Sequence, residues 1–471
     1  MKRAMLFALL LATAATIGCG GASNSNQNSQ QNTSAPVYMT GEDMPSSSVV
    51  GFNVTIDKIT LNNSTSTVTA LSTPEAVDFA RLVGLRTLLG FNTVQPGTYT
   101  SVTFTFENTN PAPVISYVDL STTPPSVQEI TNASFSQTVV TVPFPTGAPL
   151  VVSNNGLAGL RIDFDIDDSL SRSGGQITGV INPVMNVWAV SASQEVGQIT
   201  DFTGNVVSVS VSGDSFQMQG PYGLPRTIDV TSTTQYNGSN SLGTLTPNAV
   251  VSVVGTMQAD GSILAQCVEL ITTDHAFVSG RVLAVNPSSG PVTSVTMWVG
   301  EELGTSGVIP VDTVTTMNLS NVLTYDVCFF DNFLTNQVFN NTSLVVGQRI
   351  FVGGAVTTTA NGPVFTPDMV SLRRQGVVGA LVANSVTITG GAGSNLGSFE
   401  MQNDALMSYS AGGPFTVFTG NATVFENIDG LSGLAAAGTP NLISRGLVFE
   451  DQSTGKPVVV AGRVRVLPAG Q

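Results

Sequence analysis

Histidine is almost missing from this chain of 471 residues: His275 is the only one. A Ser-His-Asp or Cys-His arrangement would have to be built on it. Its neighbours Thr272-Thr273-Asp274 read as a linker rather than a strand-to-helix elbow, and no Gly-x-Ser-x-Gly lies beside it. Cysteine is nearly as scarce, and Cys267, His275 and Cys328 do not supply the paired spacings of a zinc site. Charged residues make up 10%, against roughly 25% in an average soluble protein. With 16 Lys and Arg against 31 Asp and Glu, the net charge of −15 repels a phosphate backbone, which excludes nucleic acid as a partner. Helix signals are few, so no phosphate-cradling glycine loop opens a helix. Acidic residues are spread too thinly to nominate the opposed carboxylates of a glycosidase. No catalytic residue and no cofactor is expected.

What is present begins at the N-terminus. Lys2 and Arg3 precede an apolar run from Ala4 to Ala15. The run is too short to span a bilayer of roughly 30 Å but suits the core of a signal peptide. It ends at Thr16-Ile17-Gly18-Cys19, which resembles the lipobox of bacterial lipoproteins, with Thr16 where that motif prefers Leu. The resemblance implies acylation of Cys19 as the mature N-terminus. Ordinary cleavage after Ala12-Thr13-Ala14 is the alternative, and it leaves Cys19 a free thiol. Residues 22–36 are a Ser/Asn/Gln tract without apolar periodicity, a polar tether. Gly20 rather than Asp follows the cysteine, as in lipoproteins sent on to an outer membrane.

From about Val49 the pattern alternates with period two between Gly-, Pro- and Asn-rich turns, the mark of strands. Phe52, Val54 and Ile56 share one face, and the phase slips at Asp57-Lys58, which predicts a bulge. One stretch looks different. Thr73-Pro74-Glu75 offers an N-cap and a first-turn proline, and Val77, Leu82, Leu85 and Leu89 follow at loosely helical spacing to Gly90, which predicts one short helix. Pro96-Gly97-Thr98-Tyr99 enters a strand bearing Val102, Phe104 and Phe106, a turn similar to those of transthyretin-like β-sandwiches. Further strands are expected at Phe135–Phe144, Leu160–Ile166 and Ile177–Val190.

The remainder repeats. Ser215-Phe216-Gln217-Met218-Gln219 returns as Ser398-Phe399-Glu400-Met401-Gln402, and Phe216 and Phe399 should hold equivalent core positions. Each copy is opened by a glycine-bearing apolar strand, at Gly204 and Gly379, and Gly280-Arg281-Val282-Leu283 opens a third copy between them. A Thr-x-aromatic element follows at Thr234–Gly238 and again at Thr423–Asn427. Closing hairpins turn at Asp260-Gly261, Asn361-Gly362 and Thr454-Gly455, where two-residue turns demand positive φ. Units of about 70 to 100 residues are too long for propeller blades or solenoid rungs and fit small barrels.

The expected class is therefore all-β. A signal peptide (1–18) and a lipid-anchored polar tether (19–36) precede a transthyretin- or Ig-like β-sandwich with one short helix (37–195). Three OB-like or Greek-key β-barrel repeats follow, at 196–274, 275–374 and 375–471. This succession resembles a group of uncharacterised bacterial lipoproteins abundant in soil acidobacteria, whose two domain types are domains of unknown function. The resemblance implies a place in the cell envelope and supplies no chemistry.

Three candidate features remain. Cys267 and Cys328 form one disulfide in an oxidising compartment, or are two small buried residues in separate strands. Asp163, Asp165 and Asp167 share a strand face opposite Ile162, Phe164 and Ile166, with Asp168 alongside. Their simplest reading is a solvated outer face that deters edge pairing, and the alternative is a calcium site. The run opens like an EF-hand loop, but Gly174 stands where its bidentate Glu belongs. Trp298 and Tyr325 are candidate binding aromatics. The function expected is that of a non-catalytic envelope lipoprotein, held to the membrane by its anchor and binding a protein or polysaccharide partner. A calcium-dependent adhesion module and an envelope hydrolase are the alternatives.

Overall fold

The computed structural model describes residues 34–467 apart from 45–47, 83–85, 120–125, 155, 174–175, 192–197, 221–224, 240, 273–275, 306, 328–338, 392 and 404–413. Residues 34–471 form one compact unit. Cys19, His275 and Cys328 lie outside the described residues, as do the signal segment and the tether to Thr33. The protein is all-β, with two helices among the described residues, Ile166–Ser169 and Gly430–Ala436. Neither is long and apolar enough to cross a membrane.

The first strand, Ala35–Met44, takes in the last two residues of the expected tether, and Ala35 is fully buried. It runs parallel to Ala158–Asp165 and antiparallel to Thr87–Val94, and Met185–Ser191 completes a four-stranded sheet. A second sheet is built on Val49–Asn62, whose register shifts between Ile56 and Lys58, the expected place. The shift lets Phe52, Val54 and Ile56 and then Ile59 and Leu61 all point inward. Phe164 of the first sheet meets Phe52 and Phe106 of the second at ring-centroid separations of 5.0 and 5.9 Å, so the two sheets share a core.

The helix expected over 73–90 does not form. Glu75–Asp78 pairs with Val49–Asn62 as a strand, Phe79–Leu82 is one 3-10 turn, and Thr87–Val94 is a strand again. Both Leu88 and Leu89 are buried, because that strand is covered on both faces. Apolar spacing in such a segment cannot be told from a helical stripe.

The three repeats share one plan. In each, the first strand pairs with the second and the fourth, and the fourth forms a hairpin with the fifth. In the third repeat these are Arg374–Leu381, Gly397–Asn403, Phe415–Glu426, Asn441–Asp451 and Lys456–Val466. The third strand runs parallel to the fifth, which closes a five-stranded barrel. In the first repeat the third strand touches the fifth through two pairs, Ile228 with Ile263 and Asp229 with Leu264. The Thr-x-aromatic element is the second half of the third strand in the third repeat, and in the first repeat it is a separate short strand, Gln235–Asn237, parallel to the fifth. Thr234 and Thr423 each donate a hydroxyl to a fifth-strand carbonyl, Ala265 at 2.8 Å and Ala461 at 2.7 Å. Phe216 and Phe399, on second strands, are both 1% exposed. At the closing hairpins only the glycines, 261, 362 and 455, have positive φ, so these are not the turns with both central residues left-handed.

The repeat glycines are steric requirements. A β-carbon on Gly204, Gly280 or Gly379 would overlap a second-strand carbonyl oxygen, that of Gln219, Trp298 or Gln402. With no side chain in the way, the first strand coils tightly against the second. Gly379→Ala is expected to lower stability by about 1 to 3 kcal/mol through forced backbone displacement. Urea unfolding beside Gly438→Ala, which meets nothing within 4 Å but carries a φ of +78°, separates overlap from backbone strain. Equal losses would contradict the overlap.

Candidate functional site

Strand Ala158–Asp165 reads Ala-Gly-Leu-Arg-Ile-Asp-Phe-Asp, and all eight residues are buried. One face carries Leu160, Ile162 and Phe164 into the core between the sheets. The other carries Arg161 and Asp163, and the outside of the third barrel lies against it, because Arg465 of that barrel reaches Glu42 on the adjoining strand. The expectation of a solvated carboxylate ladder is thereby corrected. Asp163 is 1% exposed because the third barrel covers the face that alternation alone assigns to water, and Asp165 is 5% exposed where it caps the turn that follows. Asp167 does not share that face either. The strand ends at Asp165, which caps the single turn Ile166–Ser169 by accepting from the Asp168 amide at 3.0 Å, and Asp167 pairs with Arg172 at 2.8 Å. Among the described residues no three His, Cys, Asp or Glu side chains are placed to hold a metal ion.

Two carboxylates and four guanidinium groups form the centre of this face. Glu42 accepts from Arg86 Nε at 2.8 Å and Arg465 Nη1 at 2.9 Å, with Arg161 Nε at 3.7 Å. Glu426 accepts from Arg465 Nε at 2.6 Å, with Arg86 at 3.3 Å and Arg463 at 3.4 Å. Arg465 thus bridges a carboxylate of each unit. Arg86, fully buried, does the same from the other side. Arg161 also lies over the Trp188 ring, 4.1 Å from its centroid. Arg445 sits directly across from Arg463 on the neighbouring strand.

The fields in this cluster separate the acids. Burial alone would raise Glu42, but Arg465, Arg86 and Arg161 override it and hold its carboxyl well below the usual range. Burial likewise works against Glu426, and Arg463, Arg465 and Arg86 bring it down to about 2. Asp163 is pushed up to about 7, by burial and then by Glu42, against the hydrogen bond from Asn186 at 3.1 Å and the pull of Arg465. Asp43 is held well above its ordinary value by burial and by Asp163 and Asp165. Between the units a cavity of about 20 Å³ is lined by Glu42, Asp43, Ile443, Arg445, Arg463 and Arg465. That is room for one water-sized occupant.

Other units are joined in the same manner. Glu269 of the first barrel accepts from Ser371 and Arg373 at the end of the second, and Arg373 also donates to Ser252. Arg81 of the N-terminal unit pairs with Glu301 at 2.7 Å. Trp298, expected as a binding aromatic, is 2% exposed and packs between Val50 and Val118 of the N-terminal unit. Tyr325 is half-buried and meets the Phe339 ring edge-on at 5.7 Å. Cys267 is 2% exposed and disulfide-bonded. Val327, the residue before Cys328, accepts a hydrogen bond from Asn237, two residues beyond the Gln235 that pairs with Cys267. Sequence reasoning missed Glu42, Arg86, Arg161, Glu426, Arg445, Arg463 and Arg465. The available signal was arginine inside otherwise apolar strands, in a chain that holds only 16 basic residues.

Residues 33–183 match a domain of unknown function, DUF4382, and residues 196–269 match a second, DUF5666. The chain therefore carries two domains of unknown function followed by further β domains. No curated protein matches it.

Proposed function

We propose that this is a non-catalytic, lipid-anchored protein of the bacterial cell envelope. In this reading an N-terminal sandwich and three OB-like barrels are clamped into one body that presents its outer surfaces to a protein or polysaccharide partner. The observation that carries the non-catalytic reading is the use made of the buried charges. A cluster of two carboxylates and five guanidinium groups joins two units around a cavity of about 20 Å³, too small for an organic substrate. The OB-like assignment is supported by the strand order first–second–third–fifth–fourth in the first and third repeats, with the third strand parallel to the fifth.

Export is supported by the signal-like start before Cys19 and by the disulfide at Cys267, a bond that persists in oxidising compartments. Cys328 is the partner proposed for Cys267. Metabolic labelling with a fatty-acid analogue tests the anchor: wild type is expected to carry label in the membrane fraction, and Cys19→Ser to carry none. Equal release of both forms into the periplasm would overturn it. Non-reducing peptide mapping tests the bridge, and a free Cys328 thiol in protein taken from the envelope would contradict it.

A further inference from the structure

We infer that the cavity between the N-terminal unit and the third barrel is a binding site for a small inorganic anion of halide size, held by Arg445 with Arg463 and Arg465. Arg445 is 6% exposed. Among the described residues no carboxylate makes an ion pair with it, and its buried Nε has no acceptor. Its nearest charged neighbours are mostly of its own sign. Burial lowers its proton affinity most, Arg463, Arg86 and Arg374 lower it further, and Glu42 opposes them. Arg463 stands directly across the strand pair, an arrangement that destabilises like charges unless something lies between them.

The charge balance points the same way. Among the described residues the firmly ionised carboxylates of this interface are Glu42 and Glu426, and Arg86, Arg463 and Arg465 are already engaged with them, whereas Arg445 pairs with neither. The aspartates that border them, Asp43 and Asp163, are held toward their neutral forms. A buried guanidinium without a counter-charge, as Arg445 is among the described residues, costs several kcal/mol. Arg445 lines the cavity together with Arg463 and Arg465, and with Glu42, which already accepts from Arg86 and Arg465, and Asp43, which is held toward its neutral form. A guanidinium carries five N–H donors and no acceptor, so a site with three of them favours an occupant that accepts only. A water molecule in the same place would accept two hydrogen bonds and bring no charge. The volume of about 20 Å³ admits one water-sized occupant, which suits a halide and excludes a phosphate or a sugar acid.

The site needs neither the lipid anchor nor a partner. Bromide is the probe, because its anomalous scattering locates it. The full chain crystallised in sodium bromide is expected to show an anomalous peak in hydrogen-bond contact with Arg445. In solution, replacing sodium gluconate by sodium bromide at equal ionic strength is expected to raise the melting temperature by roughly 1 to 3 °C by mass action. Arg445→Met should abolish both the peak and the salt difference, and should melt higher than wild type in gluconate because an unpaired buried charge has gone. Crystals that hold bromide elsewhere but none at Arg445 would overturn the assignment. So would equal melting temperatures of the wild type in the two salts, a comparison that stands even if the variant fails to fold.

Discussion

Replacing Glu42 by Gln is expected to lower stability by about 3 to 5 kcal/mol, the range found when one partner of a buried ion pair is removed. Glu42 accepts from Arg86 and Arg465 and faces Arg161, so the neutral side chain withdraws a counter-charge that three buried guanidinium groups share. The loss should appear at one interface rather than throughout. Two of these arginines lie in the N-terminal unit and Arg465 lies on the last strand of the third barrel, 423 residues from Glu42. Limited proteolysis of Glu42→Gln should therefore cut within the third barrel sooner than within the first. The exposed pair Asp167–Arg172 provides the comparison, where Asp167→Asn should change stability by no more than about 0.5 kcal/mol. A Glu42→Gln protein that unfolds at the wild-type urea midpoint would show that the cluster holds nothing together.

Local chemistry was legible in the sequence and its coverage was not. The alternation through Phe52, Val54 and Ile56 and its slip at Lys58 appear in the structure as a strand and a bulge, because both follow from which side chains must point into one core. The repeated phrase around Phe216 and Phe399 marks equivalent second strands, since a barrel interior constrains the residues that fill it. The glycines at 204, 280 and 379 stand out for a related reason, a backbone approach that no side chain survives. What failed was every inference that assumed an outer face to be wet. Asp163 and Trp298 each lie on a face pointing away from their own core, and each is covered by another unit. Period-two alternation assigns a residue to a side but is silent about what packs there. The ion cluster was hidden for the same reason, because its members come from strands far apart along the chain, and only arginines inside apolar runs, such as Arg463 and Arg465, betray it.

Stability is expected to peak at mildly acidic pH, near 4 to 5, and to fall on going to pH 8. The sign follows from which acids are raised and which are lowered. Burial and Glu42 push Asp163 up to about 7, and burial pushes Asp78 up to about 6 against the hydrogen bond from the Phe52 amide and the pull of Arg81. Asp43 and Asp165 are raised as well, burial being the largest cause for both. In the unfolded chain these groups titrate near the ordinary value of about 3.9. The folded state therefore binds more protons between that value and about 7, and stability declines with rising pH across this window. Glu42 and Glu426 act oppositely, because their arginine partners overcome burial and hold them low. Their contribution is present above an unfolded value of about 4.3 and is lost as pH falls toward about 2, which sets the acid limb. Asp163→Asn isolates the larger effect. It keeps the shape and removes the titration, so the decline from pH 5 to pH 8 should become shallower by a few kcal/mol, as a buried shift of that size implies. Chemical denaturation of the full chain at half-unit steps of pH measures both curves. A wild-type profile that rises from pH 5 to pH 8, or an Asp163→Asn profile of unchanged slope, would mean that the acids of this interface are ionised together and that the arginines facing them are already neutralised.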